Sequence, residues 1–187
     1  MGRTGRRTTG FHRRNTSGAG LDGSSAFGSS STYKWVSSGL TDSANNGGYV
    51  LVDSSNPIKP GEGYFTTRNG SATLPGLEAY NDVPDSTYTV TLKSGWNMVS
   101  NPYAGNVVLS NVQVQKGSGS PELWSTAAAN GWVVNAIYFY KGSDWGSTYT
   151  FESAGGSPDA KLVPWFGYWV YLNKNDDTYY LVITRPQ

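Results

Sequence analysis

The chain has 187 residues, no cysteine, a net charge of +1 and only 14% charged residues. That length can bury one core or two small packed halves without staples, and the missing thiols exclude cysteine catalysis, Cys-ligated zinc and disulfides while leaving the redox compartment open. With 24 Gly, 13 Tyr and 7 Trp, the composition also argues against a helical or α/β enzyme and for short strands joined by tight turns.

In chain order, residues 1–31 come first. Arg3, Arg6, Arg7, Arg13 and Arg14 sit among Gly, Ser and Thr without apolar periodicity, which reads as a disordered basic arm. From residue 15 onward 9 basic residues face 13 acidic ones, 9 − 13 = −4, so the folded part is mildly acidic. No nucleic-acid partner is expected from this arm. No apolar run reaches the length of a membrane span, and no apolar leader follows Met1, so an export signal would lie outside this chain.

Strand-like stretches rich in Val, Thr, Tyr, Trp or Phe, bounded by Gly, Pro, Asn or Asp, then follow. They cover 33–37, 48–53, 63–68, 87–92, 96–100, 107–115, 131–140, 148–152, 168–173 and 178–184. No stretch sustains a 3.6-residue period, so the expected fold is all-β, a sandwich or barrel-like domain.

Internal similarity organises these strands. Pro60-Gly61-Glu62-Gly63-Tyr64-Phe65 and Pro164-Trp165-Phe166-Gly167-Tyr168-Trp169 share Pro, Gly, Tyr and a following aromatic, 164 − 60 = 104 positions apart. The same slide lays Tyr33-Lys34-Trp35-Val36 over Ile137-Tyr138-Phe139-Tyr140 without a gap. The chain therefore divides into the arm, a first repeat at 32–90 and a second at 91–187, two divergent repeats packed as one compact unit.

Between the repeats runs Ser94-Gly95-Trp96-Asn97-Met98-Val99-Ser100-Asn101-Pro102-Tyr103. This stretch resembles the Gly-Trp-Asn-Leu-Ile-Ser-Asn-Pro-Tyr element of β-rich modules in bacterial secreted and cell-surface multidomain proteins. Trp96, Asn97, Asn101 and Pro102 agree, and Met98 and Val99 depart conservatively. A Pro-x-x-Gly-Tyr-Trp-Val stretch follows in such modules and is matched by Pro164 to Val170. The resemblance covers roughly 90–187 and more loosely 33–80, and it implies an extracellular or cell-surface accessory module without catalysis. A first-repeat copy of the Gly-Trp-Asn element would fall at 95 − 104 = −9, so the first repeat reads as truncated, with residues 1–31 in place of a native lead-in.

Candidate chemistry is sparse. The one histidine, His12, lies in the arm, and no Gly-x-Ser-x-Gly elbow is present, so a Ser-His-Asp triad and a multi-His zinc site are excluded from the folded part. Glu62, Glu78, Glu122, Glu152, Asp82, Asp85 and Asp144 leave open a carboxylate-based hydrolase of glycosides, esters or lactones. Asn173, Asn175 and Asp177 place oxygens at i, i+2 and i+4 and offer a weak Ca2+ site, as does the acidic loop at 81–85. The first also suits a hairpin turn. Trp124, Trp132, Trp145 and Trp165 lie near Gly, Ser or Asn and are the candidate saccharide-stacking rings, whereas Trp96, Trp132 and Trp169 could instead fill the core. The runs Tyr138-Phe139-Tyr140 and Tyr179-Tyr180 cannot turn every ring inward, which leaves one face for a glycan or a neighbouring domain. Carbohydrate binding or adhesion is thus the expected function, with the hydrolase and a structural spacer as alternatives.

Overall fold

A computed structural model describes residues 31–37, 47–66, 86–139, 147–150, 161–164 and 166–186, with only the backbone described at 147–150. The basic arm up to residue 30, the loop at 81–85, Tyr140, Trp145, Trp165, Glu78, Glu152 and Asp144 lie outside the described residues.

The architecture is all-β. Strands run in the order β1 Thr32–Val36, β2 Gly48–Leu51, β3 Tyr64–Thr66, β4 Thr87–Leu92, β5 Gly95–Ser100, β6 Val107–Val108, β7 Val112–Lys116, β8 Glu122–Leu123, β9 Ala136–Phe139, β10 Ser147–Thr150, β11 Lys161–Leu162, β12 Gly167–Leu172 and β13 Tyr179–Thr184. A 3-10 turn at Leu109–Asn111 and one short helix, α1, at Trp124–Ala129 interrupt them. The expected strand at 107–115 is thereby split into β6 and β7, and among the described residues of the stretch expected at 131–140 only Ala136–Phe139 forms a strand.

Two four-stranded antiparallel sheets, β10-β9-β12-β5 and β4-β13-β7-β8, put their buried residues into one core, which makes the sandwich alternative the observed one; among the described residues no closed barrel forms. Alternation dictates this. In β12, Tyr168, Val170 and Leu172 are buried while Trp169 and Tyr171 are half-buried, and in β13, Tyr179, Leu181 and Ile183 point inward. Val99, Ile137 and Phe139 meet Val112 and Val114 in the same core, which Trp124 and Ala127 of α1 extend. Gly131, at φ 68, stops α1 by taking the left-handed conformation past its end.

A third sheet, β2-β1-β3, comes from the first repeat, and a two-stranded ribbon pairs β11 with β6. The order β2-β1-β3 repeats that of β10-β9-β12. The Pro-x-x-Gly-Tyr copies share one hydrogen bond at their turns. Lys59 N–H donates to Tyr64 Oη at 2.6 Å and Val163 N–H to Tyr168 Oη at 2.7 Å, so each tyrosine, fully buried, bonds the amide five residues before it. These are the residues just ahead of Pro60 and Pro164.

The strands facing these tyrosines correct the gapless slide. Tyr33 pairs with Phe65 and Lys34 with Tyr64, while Tyr138 pairs with Trp169 and Phe139 with Tyr168. Tyr33 therefore corresponds to Tyr138 and not to Ile137, a spacing of 138 − 33 = 105. Between the facing strand and its tyrosine the second copy is one residue shorter, 168 − 138 = 30 against 64 − 33 = 31, and a one-residue slip left unadjusted would exchange the two faces of the strand. The observed register keeps Tyr33 and Tyr138 on the face of their aromatic partners.

Candidate functional site: an aromatic belt

The outward face of the first sheet of the sandwich is aromatic for a simple reason. Trp96 and Met98 in β5, Trp169 and Tyr171 in β12 and Tyr138 in β9 occupy alternate positions, and the register sets Tyr171 beside Trp96 and Trp169 between Met98 and Tyr138. In the first repeat, the pairings of Trp35 with Tyr49 and of Tyr33 with both Leu51 and Phe65 collect a second apolar face.

The two faces meet in a chain of rings. Trp96 touches Tyr171 edge-on at 5.0 Å, Tyr138 at 5.5 Å and Trp169 at 6.2 Å between centroids. Trp169 in turn meets Trp35 at 5.2 Å and Tyr49 at 6.4 Å, and Tyr49 meets Trp35 at 5.3 Å and Phe65 at 6.2 Å. All but the tilted Tyr49–Phe65 pair are T-shaped, the geometry the ring quadrupole prefers. Gly47 makes room for the belt, since a Cβ there would lie 2.5 Å from Trp35 Cζ2. Trp35 Nε1 is buried and has no hydrogen-bond partner. The belt is closed at the Trp35–Trp169 crossing and open at its far end, where Tyr49 is 47% exposed, Phe65 39% and neighbouring Leu51 42%.

Behind β3, a polar cluster fixes the first repeat. Tyr64 Oη donates to Glu62 Oε2 at 2.7 Å, and Lys34 Nζ stands 3.9 Å from the same oxygen. Burial first, and the Glu62 charge second, hold the Tyr64 phenol far above its ordinary range. Glu62 also bridges to Val99 of β5, flanked by Gly63 N–H to Met98 O at 3.0 Å and Ser100 N–H to Gly61 O at 2.7 Å.

The Gly-Trp-Asn element is consumed by structure. Asn97 Oδ1 accepts from Lys93 N–H at 2.8 Å, and its Nδ2 donates to Lys93 O at 2.7 Å and Gly95 O at 2.9 Å, closing the β4–β5 turn. Asn101 Nδ2 donates to Gly105 O at 2.7 Å and Leu162 O at 2.8 Å while Oδ1 accepts from Tyr103 N–H at 2.8 Å. Ser100 Oγ donates to Glu62 O and Tyr103 Oη to Ile183 O.

Of the four tryptophans singled out in the sequence, Trp124 is buried at 3% exposure with Nε1 donating to Val134 O at 3.2 Å, so its faces are covered by protein. Trp132 is half-buried against the core, edge-on to Tyr179 at 5.6 Å. Neither joins the belt, and Trp145 and Trp165 lie outside the described residues. Trp96 and Trp169, weighed above as core residues, sit instead on the outward face. Tyr49 and Phe65 were missed because each sits in a strand too short to show alternation; the available signal was the i, i+2 spacing of Tyr33 with Trp35 and of Trp169 with Tyr171.

Asn173, Asn175 and Asp177 are exposed in the turn between β12 and β13. Asp177 Oδ1 accepts from Thr178 N–H at 2.7 Å, and the adjacent Asp176 takes Lys116 Nζ at 2.7 Å and Tyr179 Oη at 2.9 Å. The turn's carboxylates thus bind the turn and its neighbour β7. Among the described residues no group of three or more His, Cys, Asp or Glu side chains converges. None of the described helices is long and apolar enough to cross a membrane. Comparison with protein-family models, curated proteins and solved structures finds no match to this chain.

Proposed function

We propose that this chain is a non-catalytic, extracytoplasmic binding module that takes a saccharide ring on the open end of its aromatic belt. The observation that carries the reading is the exposed pair Tyr49 and Phe65, 6.2 Å apart, with the Tyr49 ring backed edge-on by Trp35 and Trp169. Flat apolar sugar faces stack on such rings, and the Tyr49 hydroxyl supplies a hydrogen bond at the rim. The extracytoplasmic placement rests on the resemblance of the Gly-Trp-Asn element.

The acidic side chains support a module without catalysis. Asp53 caps the amides of Ser55 and Asn56, Glu62 accepts from Tyr64, Glu122 from Asn130, Asp176 from Lys116, and Asp177 from Thr178. Every acid among the described residues is engaged in holding a turn or strand.

Retention of the full chain on a panel of insoluble polysaccharides and arrayed glycans tests the reading. Tyr49→Ala and Phe65→Ala should each weaken retention roughly two- to tenfold, the worth of about one ring contact. Leu123→Ala, exposed on the β8 edge, should leave it unchanged. Retention that survives loss of both rings refutes the site, and absence of retention on every glycan refutes the ligand class.

A further inference from the structure

The sheet β4-β13-β7-β8 ends on two unlike edges. β8 is two residues long and carries Glu122, whereas β4 runs for six residues, Thr-Tyr-Thr-Val-Thr-Leu, without a charge, proline or glycine. Among the described residues no strand pairs with the outer edge of β4. Arg185 N–H donates to Ser86 O at 2.8 Å, so the Ser86 carbonyl faces β13. By alternation the peptide groups of Thr87, Thr89 and Thr91 point away from β13, and their side chains are exposed.

Natural edge strands are protected by charge, proline, bulges or brevity, and an edge lacking all four is a template for another strand. The pattern here is also self-complementary, because Thr-x-Thr-x-Thr reads the same in both directions about Thr89. We propose that β4 pairs with β4 of a second copy of this chain, antiparallel about a two-fold axis through Thr89. Thr89 then exchanges both backbone hydrogen bonds with the partner's Thr89, and Thr87 does so with the partner's Thr91. On the exposed face three threonine pairs line up, a favourable cross-strand combination. On the inner face Tyr88 lies opposite the partner's Val90. The edge carries no charge to select an acidic or basic peptide and none to repel its own copy, which favours self-pairing.

Sedimentation velocity and light scattering on the full chain, from micromolar to several hundred micromolar, test the pairing. The wild type should show a dimer fraction that grows with concentration. Thr89→Lys and Thr89→Glu each set like charges across the axis and should weaken the dimer at least tenfold, while an equimolar mixture of the two should recover it as a heterodimer. Both substitutions fall on an exposed side chain, and unchanged near-ultraviolet dichroism verifies that the fold is kept. A wild type that stays monomeric throughout, a dimer indifferent to both substitutions, or a mixture that fails to recover association overturns the proposal.

Discussion

Replacing Asn101 by aspartate exchanges one atom of the side chain and reverses its hydrogen-bonding sense. Asn101 is 4% exposed, and its Nδ2 donates to the carbonyls of Gly105 and Leu162 at 2.7 and 2.8 Å. In the variant a carboxyl oxygen faces both carbonyls, while the acceptor for Tyr103 N–H is retained. The two lost bonds are worth about 1 kcal/mol each, and the stranded Leu162 carbonyl, whose bond is buried, costs about 1–3 kcal/mol more. The sum is about 3–5 kcal/mol, a large share of the roughly 5–15 kcal/mol that holds a domain together. The burial and the two carbonyls raise the folded-state pKa of the new acid above its unfolded value of about 3.9. The sign follows: the variant comes closest to wild-type stability at low pH and loses ground as pH rises above that value. Urea denaturation of Asn101→Asp and wild type at pH 4 and pH 7 measures the difference at each. A gap below about 1 kcal/mol at pH 7, or one that narrows as pH rises, refutes the assigned role of Asn101.

Tyr168→Phe strands the Val163 amide that Tyr168 Oη accepts at 2.7 Å, and should cost about 1–3 kcal/mol in the same denaturation assay with no change in the far-ultraviolet spectrum. Asp176 lies below the usual carboxylate range, first through its hydrogen bond from Lys116 and then through that from Tyr179. Its contribution to stability is therefore present at neutral pH and fades as pH falls through the depressed value. Lys116→Met should return Asp176 toward an ordinary carboxylate titration, followed by carbon-detected NMR.

The all-β class was legible in the sequence because the turn residues and the β-branched and aromatic runs speak locally, as did the repeat, whose Pro-x-x-Gly-Tyr turn builds the same tyrosine-to-amide bond twice. The register between the copies was not legible, because a one-residue insertion leaves a plausible alignment and only strand pairing decides which face Tyr138 takes. The helix at Trp124–Ala129 was too short to show a period; Trp124 and Ala127, three apart, are its whole buried face. The site was least legible. Isolated tryptophans near glycine suggested surface rings, yet Trp124 is core, and the belt forms only when β1 and β2 cross the outward face of β12, a long-range event no local window encodes.

A strand with partners on both edges answers to substitution differently from one with a single partner. β5 serves both copies: Val99 stands opposite Tyr168 of the second and Glu62 of the first, and Ser100 meets Gly167 on one side while bonding Gly61 and Glu62 on the other. A substitution in β5 therefore disturbs two turns at once, one along each of its edges, where the same change in a strand with a single partner would disturb one.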